Sequence, residues 1–134
     1  MTTVYRSRLD NGIRIVTAEM PGVPSATLGI WVENGSRYES SAQSGISHFL
    51  EHLLFKGTDR RTAAQIAEEI DAVGGFINAF TGKEYTCYYT KVLGEHAGIA
   101  EDVLDGCLTV GPDRKRRLEV ANVDLVRTVK QGID

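Results

Sequence analysis

The apolar positions of this chain change period several times along its 134 residues. Ile13-Arg14-Ile15-Val16-Thr17 is dense in β-branched residues and follows Asn11-Gly12, a dipeptide suited to a tight hairpin turn. With Val4 to Leu9 ahead of that turn, the pattern predicts a hairpin. Pro21-Gly22 interrupts it, and Thr27 to Val32 then reads as a third, more buried strand ending at Asn34-Gly35. A helical period takes over after Ser44-Gly45. With Ser44 or Ser47 as the cap, the spacing predicts a helix to about Phe55, where Lys56-Gly57 supplies a cation and a glycine suited to a carboxyl end. A second helix is expected from about Thr62 to Val73. Ala63, Ile66, Ala67, Ile70 and Val73 form one stripe at about 100° per residue, and Gly74-Gly75 stops it.

Strand character returns in Phe76 to Phe80 and in Tyr85 to Leu93, joined by the turn-like Thr81-Gly82-Lys83-Glu84. A third helix is expected from Glu95 or His96 to about Cys107, with Ile99, Val103 and Leu104 on its apolar side. From Thr109 to Asp134 the apolar positions Leu118, Val120, Val123, Leu125, Val126 and Val129 follow neither period, so no element is assigned there. No internal repeat is present. Strands, then helices, then strands, then a helix imply an α+β fold, with an antiparallel-rich sheet packed against helices as a two-layer sandwich rather than regular βαβ winding.

Composition narrows the function classes. A chain 42% hydrophobic and 25% charged lies near the globular average, which argues against disorder. The net charge of -3 provides no electrostatic case for nucleic acid as a partner. The basic run Arg114-Lys115-Arg116-Arg117 reads as a solvated segment. The longest apolar runs fall short of the ~18 residues that span a bilayer, so no membrane segment is expected. The start, Met1-Thr2-Thr3-Val4-Tyr5-Arg6, has no apolar segment behind it, and the expected location is cytoplasmic. Cys87 and Cys107 form no CxxC pair, and Cys87 in its apolar run reads as a small core residue.

Chemistry concentrates in His48-Phe49-Leu50-Glu51-His52. Residues three and four apart are neighbours on a helix. With His48 as origin, Glu51 falls at about -60° and His52 at about 40°, so two imidazoles and a carboxylate share a face. Ile46, Leu50, Leu53 and Leu54 fall on the opposite side, with Phe49 between and Phe55 an exception. Histidines at i and i+4 can reach one zinc ion at ~2.0–2.1 Å, and a neighbouring carboxylate can take a proton from a zinc-bound water. The other reading of the same five residues is a polar helix face turned to solvent.

His48 to Thr58, HFLEHLLFKGT, resembles the signature of the pitrilysin or inverzincin zinc peptidases, with wording closest to the processing-peptidase branch. The likeness extends through Leu9-Asp10-Asn11-Gly12, Gly29-Ile30-Trp31-Val32, Gly35-Ser36-Arg37, Gly74 to Thr81 and Glu84 to Tyr89, in the family's order. It implies a metalloendopeptidase fold, a zinc cofactor and a peptide substrate. By the same resemblance His48 and His52 are zinc ligands, Glu51 is the general base, and Asn78 and Ala79 lie on a strand that meets an extended peptide. Their other reading is ordinary strand packing. Glu84 reads most simply as an exposed turn residue, and His96 as a surface residue at a helix start.

The likeness covers residues 1–106, which are expected to form the amino-terminal portion of a peptidase domain. Residues 107–134 are expected to be an atypical tail, frameshifted or truncated. The family's third zinc ligand is a glutamate on a later helix, which falls near Thr128, where the chain reads Val126-Arg127-Thr128-Val129-Lys130. The family's second, similar half has no counterpart in this chain, so a homologous half or subunit is the expected partner. Taken alone, the chain is expected to bind zinc poorly and cleave slowly or not at all. The competing readings are a non-catalytic fragment or subunit supporting a partner, and a plain α+β binding domain with an accidental HxxEH.

Overall fold

The first hairpin forms where the turn signal stands. In the computed structural model, which describes residues 1–10, 12–108 and 123–129, β1 (Thr3–Arg8) pairs antiparallel with β2 (Arg14–Glu19). The Leu9 N–H donates to the Ile13 carbonyl at 2.8 Å, and Gly12 takes φ 91°, a value glycine adopts without Cβ strain. Asn11 lies outside the described residues.

β3 (Ser25–Val32), β4 (Phe76–Thr81) and β5 (Thr86–Leu93) build the other side of the sheet, with β5 antiparallel to both neighbours. The expected second hairpin is therefore present, in register from Phe76↔Lys91 to Thr81↔Thr86. Val123–Val129, unassigned from periodicity, is strand β6. It lies parallel to β2 and antiparallel to β3, so the order is β1-β2-β6-β3-β5-β4 and Thr128 stands in a strand. The basic run at 114–117 lies outside the described residues.

Three helices, α1 (Ile46–Leu54), α2 (Ala63–Asp71) and α3 (Ala97–Leu108), pack against β3, β4 and β5, giving the two-layer α+β architecture. Alternation along β5 sends Thr86, Tyr88, Thr90 and Val92 to the helical layer, where all four are buried. Leu28, Tyr88 and Leu104 form one core cluster, and Ile66, Ile70, Val103 and Cys107 form another. Phe55 and Ile77 pack against both. The two inward threonines satisfy their hydroxyls, Thr86 on the Asn34 carbonyl and Thr90 on the Phe76 carbonyl, each at 2.9 Å.

The α2 stripe is narrower than its spacing suggests. Ile66 and Ile70 are buried, whereas Ala63 and Ala67 face out. Its start is a capping box between Thr62 and Gln65. In α3, Val103 and Leu104 are buried as expected, but Ile99 stays exposed and Ala100 and Cys107 take the inner positions. Burial pushes the Cys87 and Cys107 thiols up to about 11, so both behave as protonated core residues. Arg61 ties the loop after α1 to both other helices through Glu69 and Asp102.

Candidate metal centre

α1 begins at Gly45, whose φ of 87° is left-handed and suits a residue without Cβ. Neither Ser44 nor Ser47 caps it. The carboxylate of Glu39 accepts the backbone N–H of Gly45 at 2.6 Å and that of Ser47 at 2.9 Å, satisfying donors that a helix start leaves open. The Ser47 and Gly45 N–H groups hold the Glu39 carboxyl below the usual carboxylate range.

The helix then presents His48, Glu51 and His52 on one face. The two Nε2 atoms lie 3.0 Å apart, and the rings meet edge-on with centroids 4.5 Å apart. One nitrogen of each ring and one Glu51 oxygen all lie within 4.8 Å of one another. Both histidines are exposed, while Glu51 is half-buried. On the sheet side, the Thr81 hydroxyl donates to Glu51 Oε2. Tyr88 lies beneath, its phenol pushed up to about 12 by burial and further by the Glu51 charge.

The opposite side of α1 is largely exposed. Ile46, Phe49, Leu50 and Leu53 are 41%, 61%, 47% and 44% exposed, so this apolar row faces outward and not into the core. Only Leu54 and Phe55 reach the cluster around Leu28 and Leu104. At about 100° per residue these two turn away from the row and toward the sheet. Among the described residues, no element covers the row.

Asn78 and Ala79 sit on β4, the edge of the sheet. The Asn78 side chain is exposed and its Oδ1 accepts the Ala79 N–H at 2.8 Å, while Ala79 packs against the core. Ile77, Ala79 and Thr81 alternate toward the helices. Phe76, Asn78 and Phe80 face the other way, where Phe80 meets Trp31, Tyr85 and Tyr89 edge-on.

Glu84 is an exposed turn residue, as read from the sequence, and it also pairs with Arg37. Beside that pair, the Ser36 and Arg37 N–H groups donate to the Gly82 and Lys83 carbonyls at 3.2 and 2.8 Å. Gly35 permits this approach, since a Cβ there would stand 2.5 Å from the Gly82 oxygen. His96 is half-buried beside Glu95 and takes no part in the cluster.

The donor set fits zinc. Tetrahedral binding at ~2.0–2.1 Å puts two nitrogens about 3.3 Å apart, a few tenths of an ångström wider than the separation here. The histidine spacing identified this pair in the sequence. Glu39, Thr81 and Tyr88 gave no such signal, because each reaches the motif from another segment. Hairpin alternation was the one available hint for Thr81, since it puts Thr81 on the face of Ile77 and Ala79.

Known proteins share this arrangement of sequence and fold. The family model described as Insulinase (Peptidase family M16) matches residues 14–111. An uncharacterized zinc protease of Bacillus subtilis, YmxG, is 54% identical over 101 residues, 75% of this chain and 25% of that protein. A probable mitochondrial-processing peptidase subunit beta of Arabidopsis thaliana is 41% identical over 123 residues, 92% of this chain and 23% of that protein. The crystal structure of a protease from Helicobacter pylori superposes with a TM-score of 0.76 at 25% identity, covering 85% of this chain and 28% of that one. The chain thus spans about a quarter of the length of these relatives.

Proposed function

Because the chain belongs to the insulinase family, peptidase family M16, we propose that it is the metal-binding portion of a zinc-dependent metalloendopeptidase that hydrolyses peptide bonds. The observation that carries this reading is the triangle on α1, two imidazole nitrogens 3.0 Å apart with a carboxylate oxygen in the same 4.8 Å group. His48 and His52 would hold the zinc. When bound, zinc polarises the scissile carbonyl and makes water acidic enough to act near neutral pH. Glu51 accepts a proton from the attacking water as its oxygen adds to the carbonyl carbon. It returns that proton to the amine as the C–N bond breaks.

An extended peptide adds to the outer edge of β4. The self-made bond from Ala79 N–H to Asn78 Oδ1 caps that edge in the free protein. A peptide carbonyl takes over the Ala79 N–H, and the freed Asn78 carboxamide turns to the peptide. A third protein ligand and the far wall of the cleft come from the rest of a longer protein or from a homologous subunit. A second reading, a non-catalytic fragment or subunit that supports a partner, is favoured by one observation. Among the described residues, no carboxylate besides Glu51 joins the histidine pair.

On the longer protein, or on the chain joined by its homologous subunit, zinc content by elemental analysis followed by chelator-sensitive cleavage of an unstructured peptide separates the two. The proposal expects zinc, cleavage lost on chelation, and a fall of about 100-fold or more in kcat for Glu51→Gln with zinc retained. Peptide cleavage that survives both chelation and Glu51→Gln would overturn it.

A further inference from the structure

We propose that Thr81 is a positioning residue for Glu51, an inference that rests on the peptidase reading above. The Thr81 hydroxyl donates to Glu51 Oε2 across 30 residues of sequence. A hydroxyl has one proton to give, and a carboxylate offers about four acceptor positions on two oxygens. Thr81 therefore fixes one oxygen of Glu51 and leaves the other for the attacking water. A glutamate side chain has three rotatable torsions, and an unrestrained carboxylate would spend much of its time away from the water. Holding it in place before substrate arrives lowers the reorganisation needed in the transition state.

The hydroxyl is itself held from several directions. Thr81 is the last residue of β4 and pairs with Thr86 of β5. The turn that follows closes through Gly82 N–H to the Tyr85 carbonyl at 2.8 Å. That turn is pinned by Ser36 and Arg37, which precede Glu39, and Glu39 in turn closes the start of α1. The donor on β4 and the acceptor on α1 are thus fixed to each other twice, once through the hydrogen bond and once through the segment 35–39. The same strand carries the proposed peptide edge at Asn78 and Ala79. One rigid strand therefore sets both the peptide and the proton acceptor.

The partner of Thr81 is the proton acceptor rather than a metal ligand. Its loss should lower turnover and leave zinc content and peptide affinity unchanged. The test uses the zinc-loaded longer protein, or the chain joined by its homologous subunit, with Thr81→Val, which keeps the shape and removes the donor, and Thr81→Ser, which keeps the donor. Thr81→Val is expected to lose about 10–100-fold in kcat, the usual scale for a partner of a site group, with KM within about twofold. Thr81→Ser should recover most of that loss. Zinc stoichiometry should be equal in all three proteins. Peptide affinity, measured in the Glu51→Gln background, should be the same with and without Thr81→Val.

If Thr81→Val turns over like the wild type while Glu51→Gln is dead, the positioning role is wrong and the peptidase reading stands. If Glu51→Gln is fully active, both fall together. A Thr81→Ser variant as impaired as Thr81→Val would also overturn the positioning role, since shape and not the hydroxyl would then matter.

Discussion

The Glu39 carboxylate closes the amino end of the helix that carries the histidines, accepting the Ser47 N–H at 2.9 Å from eight residues upstream. This bond makes the site's scaffold sensitive to acid. The folded-state pKa of Glu39 lies below its ordinary value of 4.5, chiefly through the Ser47 and Gly45 N–H groups. A depressed carboxylate binds fewer protons folded than unfolded, so its contribution is present above the ordinary value and lost as pH falls through the depressed one. Denaturation midpoints recorded from neutral pH down through pH 4 should fall more steeply for the wild type than for Glu39→Ala, which should be less stable at neutral pH. Identical acid slopes for the two proteins would contradict this account.

Gly35→Ala should destabilise the protein by about 1–3 kcal/mol, the range for forcing extra volume into a packed place. The new Cβ would meet the Gly82 oxygen at 2.5 Å and the Lys83 carbonyl carbon at 2.7 Å, both backbone atoms that cannot swing aside. Urea denaturation measures the loss. Because the turn at Gly82 follows Thr81, the variant should also lower kcat.

Two leucines should respond differently to truncation. Leu104 is 0% exposed at the centre of its cluster, and Leu104→Ala should lose about 2–5 kcal/mol. Leu50 is 47% exposed on the outer row of α1, and Leu50→Ala should change stability by no more than about 0.5 kcal/mol. Equal losses in the 134-residue chain would mean that something covers the row.

The chain by itself should bind zinc weakly, since catalytic zinc sites draw on three protein ligands and His48 and His52 supply two. Titration with a zinc indicator should show weak binding that His48→Ala and His52→Ala each remove. Tight one-to-one zinc in the chain alone would contradict this account and point to a further ligand within residues 109–134.

The site was legible in the sequence wherever its logic is local. The i, i+3, i+4 spacing put His48, Glu51 and His52 on one face, and the β-rich runs on either side of a turn-like link placed Asn78 and Ala79 on a strand of the second hairpin. What stayed hidden depends on contacts between distant segments. The cap of α1 looked like a serine, because serine is the local signal, yet Glu39 from a preceding turn fills that role. The outward turn of Ile46, Phe49, Leu50 and Leu53 could not be read either, since an apolar stripe does not say which neighbour will cover it. Strand β6 was missed for a related reason. Its pairing with β2 and β3 is set by partners far back in the chain, and its own residues show no clean alternation.

The place of β6 also governs the order in which this sheet can be joined. β2 and β3 follow one another along the chain, yet the strand that joins them edge to edge ends at Val129. A ribosome adds about 5–20 residues per second, so on the order of 10 s pass between the emergence of the first hairpin and that of its inner neighbour. By the end of that interval the newborn chain carries two separate sheet fragments, β1-β2 on one side and β3-β5-β4 with its helices on the other. The hairpin forms first, the fragment with the histidine helix follows, and the inner edge of the hairpin stays open until β6 stitches the two together.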